Sequence, residues 1–165
     1  MYENKIITEP KWKSWIVQTT TPLFTPDQCN QIIASGRAQK PQQAQVGMNK
    51  PEGGTDTKKR VTTISWIPFQ EMGHMYQDLN TFIQKANENH FGFGDIQVTE
   101  QAQFTEYPEG GFYDWHMDCD VNMGHEPPVR KISMTLLLND PSEFEGGDLE
   151  LMAPGKFANL KQGHA

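Results

Sequence analysis

Cysteine is scarce in this chain. Cys29 and Cys119 are the two thiols in 165 residues, too few for the disulfide framework that staples small secreted folds. A reducing, cytoplasmic setting is therefore the expectation. Long apolar runs are lacking too, and nothing reads as a bilayer-spanning helix. The opening Met1-Tyr2-Glu3-Asn4-Lys5 leads into no apolar stretch of the signal-peptide kind. Positive charge is in short supply, with 14 Lys and Arg against 21 Asp and Glu, a net charge of −7 and a pI near 5.2. Proteins that grip nucleic acid or anionic lipid cluster cations on one face. The basic cluster here, Lys58-Lys59-Arg60, stands at the mouth of an expected strand and reads as a solvated strand entrance. Neither nucleic acid nor a membrane is an expected partner. The G-x-S-x-G elbow, the P-loop, H-E-x-x-H and C-x-x-C are all missing, and neither cysteine sits in an activating motif. No fixed-period repeat organises the chain, and the twice-used Pro-Glu-Gly-Gly at 51–54 and 108–111 has no recurring context.

What the chain does contain suits a single domain over residues 1–165 with one sizeable core. Residues 12–17 could form an edge strand. Thr25, Pro26 and Gln28 make a helix start of the capping-box kind, with Cys29, Ile32 and Ile33 as its buried stripe and Gly36 as a ready C′ residue. Residues 37–57 are polar and aperiodic and read as a long loop. Residues 61–67 are rich in β-branched and aromatic side chains and predict a strand ended by Pro68. Met72, Tyr76, Leu79, Ile83 and Ala86 fall at helical spacing and predict a helix over about 70–89. His74 and His90, in and beside it, read as surface or packing residues. From residue 96 the pattern turns to period two: Ile96, Val98, Ala102 and Phe104 alternate with Gln97, Thr99, Gln103 and Thr105. Residues 130–139 predict a strong strand, with Ile132, Met134, Leu136 and Leu138 on one face. Lys131, Ser133, Thr135 and Leu137 take the other face. Residues 148–152 and 156–164 predict further strands. Helical support over about 22–90 and a β core over about 96–165 make an α+β class, with helices backing a β-sandwich or barrel.

Chemistry concentrates at His116-Met117-Asp118. Two-residue spacing on an extended chain puts an imidazole and a carboxylate on the same side, where both reach one cation. That donor pair suits Fe(II), Mn(II) or Zn(II) and is poor for Cu(I). H-x-D alone is common, but here it ends a longer block, Tyr107-Pro108-Glu109-Gly110-Gly111-Phe112-Tyr113-Asp114-Trp115-His116-Met117-Asp118. The Gly110-Gly111 pair eases a tight turn before the His. Phe112, Tyr113 and Trp115 offer an apolar wall against water, or simply core aromatics. Asp114 reads as a supporting or exposed carboxylate, Asp120 as a surface residue, Cys119 as a packed thiol, and His125 as a loop histidine.

This block, with residues 130–151, resembles the iron(II)- and 2-oxoglutarate-dependent dioxygenases, in particular their prolyl-4-hydroxylase-like branch with the PKHD-type hydroxylases. The second carrier of the likeness is Ser133-Met134-Thr135-Leu136-Leu137-Leu138-Asn139-Asp140-Pro141 followed by Phe144-Glu145-Gly146-Gly147-Asp148-Leu149-Glu150-Leu151. The segment 22–36 is similar to the family's N-terminal helix opening. The resemblance implies a double-stranded β-helix (jelly roll) supported by N-terminal helices. It implies Fe(2+) on His116 and Asp118, and 2-oxoglutarate as co-substrate near Tyr107, Ser133, Thr135 and Leu137. Ascorbate as a reductant and hydroxylation of a prolyl or similar peptide residue follow from the same likeness. A peptide or small molecule is the implied substrate. In the family a distal His completes the facial triad, and an Arg or Lys beyond it pairs with 2-oxoglutarate. Gly163 resembles the glycine opening that strand, so the third ligand is expected on the order of ten residues past Ala165, and His164 is not its match. The expectation is a chain lacking its C-terminal strands, a piece of a longer dioxygenase, or one whose unpaired sheet edge is covered by a second copy in a homodimer. A jelly-roll binding module without turnover is the rival reading.

Overall fold

The computed structural model describes residues 14–44, 57–118, 130–152, 155–156 and 160–165. In chain order the elements are α1 (Pro26–Ala38), β1 (Gln42–Gln43), β2 (Arg60–Val61), β3 (Thr63–Ile67), α2 (Gly73–Ala86), β4 (Ala102–Glu106), β5 (Phe112–Tyr113), β6 (Glu150–Leu151) and β7 (Gly155–Lys156). A π-helical turn at Asn87–Phe91 extends α2, and a 3₁₀ turn occupies Pro141–Glu143.

The start of α1 is a capping box. Gln28 N–H donates to Thr25 Oγ1 at 3.3 Å, and Thr25 N–H donates to Gln28 Oε1 at 2.9 Å, which satisfies two donors that a helix start otherwise leaves unpaired. The far end differs from expectation. Gly36 is not the C′ residue; the helix runs on to Ala38 and caps at Gln39. Gly36 serves tertiary packing instead, because a Cβ there would stand 2.3 Å from Phe104 Cγ. Glycine lets β4 press its phenyl ring onto the helix backbone, and Ser65 Oγ donates to the Gly36 carbonyl at 2.6 Å.

β3 is the centre of an antiparallel sheet ordered β1-β3-β4. Its register with β4 pairs Ser65 with Phe104 and Trp66 with Gln103. Tyr76 of α2 locks the far end of this pair. Its hydroxyl donates to the Ile67 carbonyl at 2.6 Å and accepts from Ala102 N–H at 2.7 Å. The core gathers Phe24, Cys29, Ile32, Ile67, Met75, Tyr76 and Phe104, contributed by both helices, the chain entering α1, and the sheet. Leu136 and Leu138 pack against its margin.

Several strand expectations need correction. The run 61–67 breaks at Thr62 into β2 and β3, which join different sheets. Of residues 96–105, pairing begins only at Ala102. Residues 130–139 form no strand. Their burial does alternate, with Ile132, Met134, Leu136 and Leu138 half-buried between exposed Lys131, Ser133 and Thr135. A ladder, however, needs successive backbone partners, and among the described residues the backbone-to-backbone bonds of this stretch are confined to Leu137. Leu137 N–H donates to the His164 carbonyl at 3.0 Å, and Gly163 N–H to the Leu137 carbonyl at 2.8 Å. Residues 14–17 are not a strand, and residues 160–165 turn instead of extending. Trp12 and Lys13, residues 45–56 of the expected loop, Cys119, Asp120, His125 and residues 157–159 lie outside the described residues.

The class is α+β. Among the described residues the strands make three small sheets, β1-β3-β4, β2-β5 and β6-β7, and not the expected double-stranded β-helix. No helix among them is long and apolar enough to cross a membrane.

Candidate metal centre

β2 and β5 pair antiparallel with Arg60 opposite Tyr113 and Val61 opposite Phe112. Asp114 N–H donates to the Lys59 carbonyl at 2.8 Å and carries the pairing one step further. The H-x-D motif leaves the sheet directly after this anchor. Gly110, at φ 71°, takes the chain into β5 through a left-handed turn that a side chain would strain.

His116 is oriented by two contacts. Its Nδ1 stands 2.8 Å from the Asp114 carbonyl oxygen. A carbonyl only accepts, so Nδ1 carries the proton and Nε2 is the free donor atom. Its ring also stacks on Tyr113, with centroids 3.5 Å apart and planes 12° from parallel. Nε2 then lies 3.1 Å from Asp118 Oδ1. This spacing admits either of two occupants: a proton, giving an ion pair, or a cation held by both atoms. Two donors at right angles, each about 2.1 Å from one cation, stand roughly 3.0 Å apart, so the pair fits a metal. The second ring nitrogen bound to a backbone carbonyl is the usual support for a metal-ligating imidazole. His116 and Asp118 side chains retain 36% and 51% of their exposure, which leaves room for further ligands.

Asp118 is braced through its backbone. Arg130 donates to the Asp118 carbonyl at 2.6 Å and also pairs with Glu100. Asp114 thus supports the site by its carbonyl, while its carboxylate accepts from Trp115 N–H at 2.8 Å.

Tyr107 is half-exposed and close enough to Arg60 and Tyr113 to feel their charges. Burial pushes its phenol above the ordinary value, the Arg60 charge pulls it partly back, and Tyr113 adds to the rise. The hydroxyl therefore stays protonated at neutral pH and can donate to an anionic ligand. Of the other expected co-substrate residues, Ser133 and Thr135 are exposed and Leu137 is half-buried. Among the described residues, the hydrogen bonds, ion pair and ring contact of the His–Asp pair involve none of the three.

Among the described residues no third His, Cys, Asp or Glu joins the pair. His164 is buried, with Nδ1 3.1 Å from the Thr19 carbonyl, and acts in packing. Two concavities, one lined by Gly36, Ser65 and Glu106, the other by Thr20, Asp140 and His164, include neither His116 nor Asp118.

Two arginines were not foreseen. Arg60 is half-buried, bonds Thr62 Oγ1 at 2.8 Å and Gln103 Oε1 at 2.9 Å, and stands 4.2 Å over the Tyr113 ring. It is no solvated strand entrance. The available signal was its place opposite an aromatic, visible only once the register is known. Arg130, read as the first residue of a strand, acts across the chain instead.

Residues 102–164 match the family model of the 2OG-Fe(II) oxygenase superfamily. A PKHD-type hydroxylase of Gluconacetobacter diazotrophicus is 36% identical over 61 residues, covering 35% of this chain and 27% of the relative. The chain thus spans about a quarter of the length of the curated relative it matches. No solved structure matches the chain.

Proposed function

We propose that this chain carries the iron-holding part of an Fe(II)- and 2-oxoglutarate-dependent hydroxylase, built on a double-stranded β-helix, that acts on a prolyl or similar residue of a peptide. One observation carries the reading: His116 Nε2 faces Asp118 Oδ1 at 3.1 Å while Nδ1 is engaged by the Asp114 carbonyl. The superfamily match over residues 102–164 contributes iron and 2-oxoglutarate as the group and co-substrate. The name of the relative, a hydroxylase, supports the reaction class.

In this reading His116 and Asp118 hold the metal, and the Asp114 carbonyl keeps the imidazole in the ligating tautomer. The protonated Tyr107 hydroxyl donates to a co-substrate carboxylate, with Ser133, Thr135 and Leu137 along the pocket wall. Tyr113, stacked on the imidazole, covers one face of it from water. Bound there, iron with 2-oxoglutarate and O₂ supplies the oxidising power for C–H hydroxylation.

The test is succinate formation from 2-oxoglutarate with Fe(II), ascorbate and proline-containing peptides. It is run on this chain and on a longer chain that includes it, beside His116→Ala. Iron-dependent succinate abolished by His116→Ala is the expected result. No succinate from either chain, together with metal affinity unmoved by His116→Ala, overturns the reading. Metal binding without turnover is a second reading, favoured because no third ligand accompanies the pair among the described residues. It predicts His116-dependent metal affinity and no succinate.

A further inference from the structure

We propose that Arg60 is a positioning residue for His116, acting through the Tyr113 ring. This rests on the reading of His116 as a metal ligand. The contacts form one chain. Gln103 Oε1 and Thr62 Oγ1 accept from the Arg60 guanidinium at 2.9 and 2.8 Å. That fixes its plane from the neighbouring sheet, since Gln103 belongs to β4. Arg60 and Tyr113 face each other across the β2–β5 pair, and the guanidinium carbon sits 4.2 Å over the phenol ring. The imidazole lies against the same ring at 3.5 Å. A ring stacked that closely leaves no room for a guanidinium on its own side, so Arg60 takes the opposite face and Tyr113 is clamped between them.

The consequence concerns precision. β5 is two residues long, and β2–β5 is the short ladder that precedes the motif. Three residues beyond Tyr113, His116 has no strand of its own to hold it. The Asp114 carbonyl fixes one edge of the imidazole, which still leaves rotation about that hydrogen bond. A clamped Tyr113 removes it by offering a flat surface for the ring face. Arg60 supplies what Lys would supply poorly: a planar, weakly hydrated cation that stacks on an aromatic while its fork stays bound to two acceptors.

The experiment reads geometry and metal separately, in the whole chain. In the metal-free protein, stacking on Tyr113 moves the His116 ring protons upfield in the NMR spectrum. Co(II) titration then gives the affinity. Arg60→Gln is expected to lose most of that upfield displacement and to weaken Co(II) binding about fivefold, with the far-UV spectrum unchanged. Tyr113→Phe keeps the stack and the affinity, and Tyr113→Leu loses both. If Arg60→Gln unfolds the chain, Arg60→Lys takes its place, with a smaller loss in both readouts. An unchanged ring displacement in a folded Arg60 variant overturns the proposal. So does a lost displacement with unchanged Co(II) affinity, provided His116→Ala still abolishes binding. Co(II) affinity that His116→Ala does not alter overturns the metal reading itself, and the positioning role with it.

Discussion

The half of the molecule that holds the fold and the strip that holds the chemistry are stabilised in opposite ways. Around Phe104, buried to 8% exposure, both helices and the sheet meet in a continuous apolar cluster. Around His116, Trp115 and Met117 keep 62% and 63% of their surface in water. There the order comes from directed contacts: a carbonyl on an imidazole, a ring on a ring, a guanidinium on a carbonyl. Packing by apolar area is strong but undirected, and it tolerates small shifts. A pair of donors meant for one ion does not, since the distance between them decides whether the ion is held.

The largest effect should come from breaking the packed half. Phe104→Ala removes the ring that Gly36 makes room for, and is expected to cost about 3–5 kcal/mol in urea denaturation. Trp115→Ala, in the exposed strip, should stay within roughly 0.5 kcal/mol. Equal costs would mean that the strip is also held by burial, and the contrast would collapse.

Next in size is Tyr76→Phe, which keeps the ring and removes the hydroxyl. The Ile67 carbonyl and the Ala102 N–H both lose their partner. A loss of about 1–3 kcal/mol is expected, and hydrogen exchange at Ala102 should quicken more than in α1. Unchanged exchange would show that β3 and β4 need no lock.

Arg130→Ala tests the directed side. It removes the brace on the Asp118 carbonyl and the pairing with Glu100, and touches no residue of the apolar core. Co(II) affinity should fall about tenfold, in the range for lost supporting partners of a metal site, with the melting temperature nearly constant. A parallel loss of melting temperature would place Arg130 with the fold and not with the site.

Legibility in the sequence divided along the same line. The capping box at Thr25, the stripe of Cys29 and Ile32, the helix around Tyr76 and the pair His116 and Asp118 are local patterns with local causes. Gly36 misled because its role is set by Phe104, far along the chain. Residues 130–139 carry a strand's alternation, and the burial follows it, yet alternation specifies a face and not a partner. Arg60 and Arg130 were invisible as supports, because a long-range contact leaves no spacing to read. The jelly roll expected from the likeness is likewise a matter of which strands pair, which periodicity does not record.

The smallest effect expected is also the most local. Asp140 caps the 3₁₀ turn at Pro141–Glu143, accepting from Ser142 N–H at 2.9 Å and from its hydroxyl at 2.7 Å. Those two donors, the backbone one first, hold its carboxyl below the ordinary value. A carboxyl depressed in the folded state adds stability above its unfolded pKa and loses it as pH falls through the folded one. Asp140→Asn keeps an acceptor for the cap and removes the charge. The gap in urea midpoint between the two proteins should be small and constant at neutral pH, then narrow as pH falls below the ordinary carboxylate range and through the lowered folded-state value. Asp140 is fully exposed, so solvent weakens the effect, and the core should not register it. A gap that persists in acid would mean that the charge acts through packing, and that the turn belongs with the buried half after all.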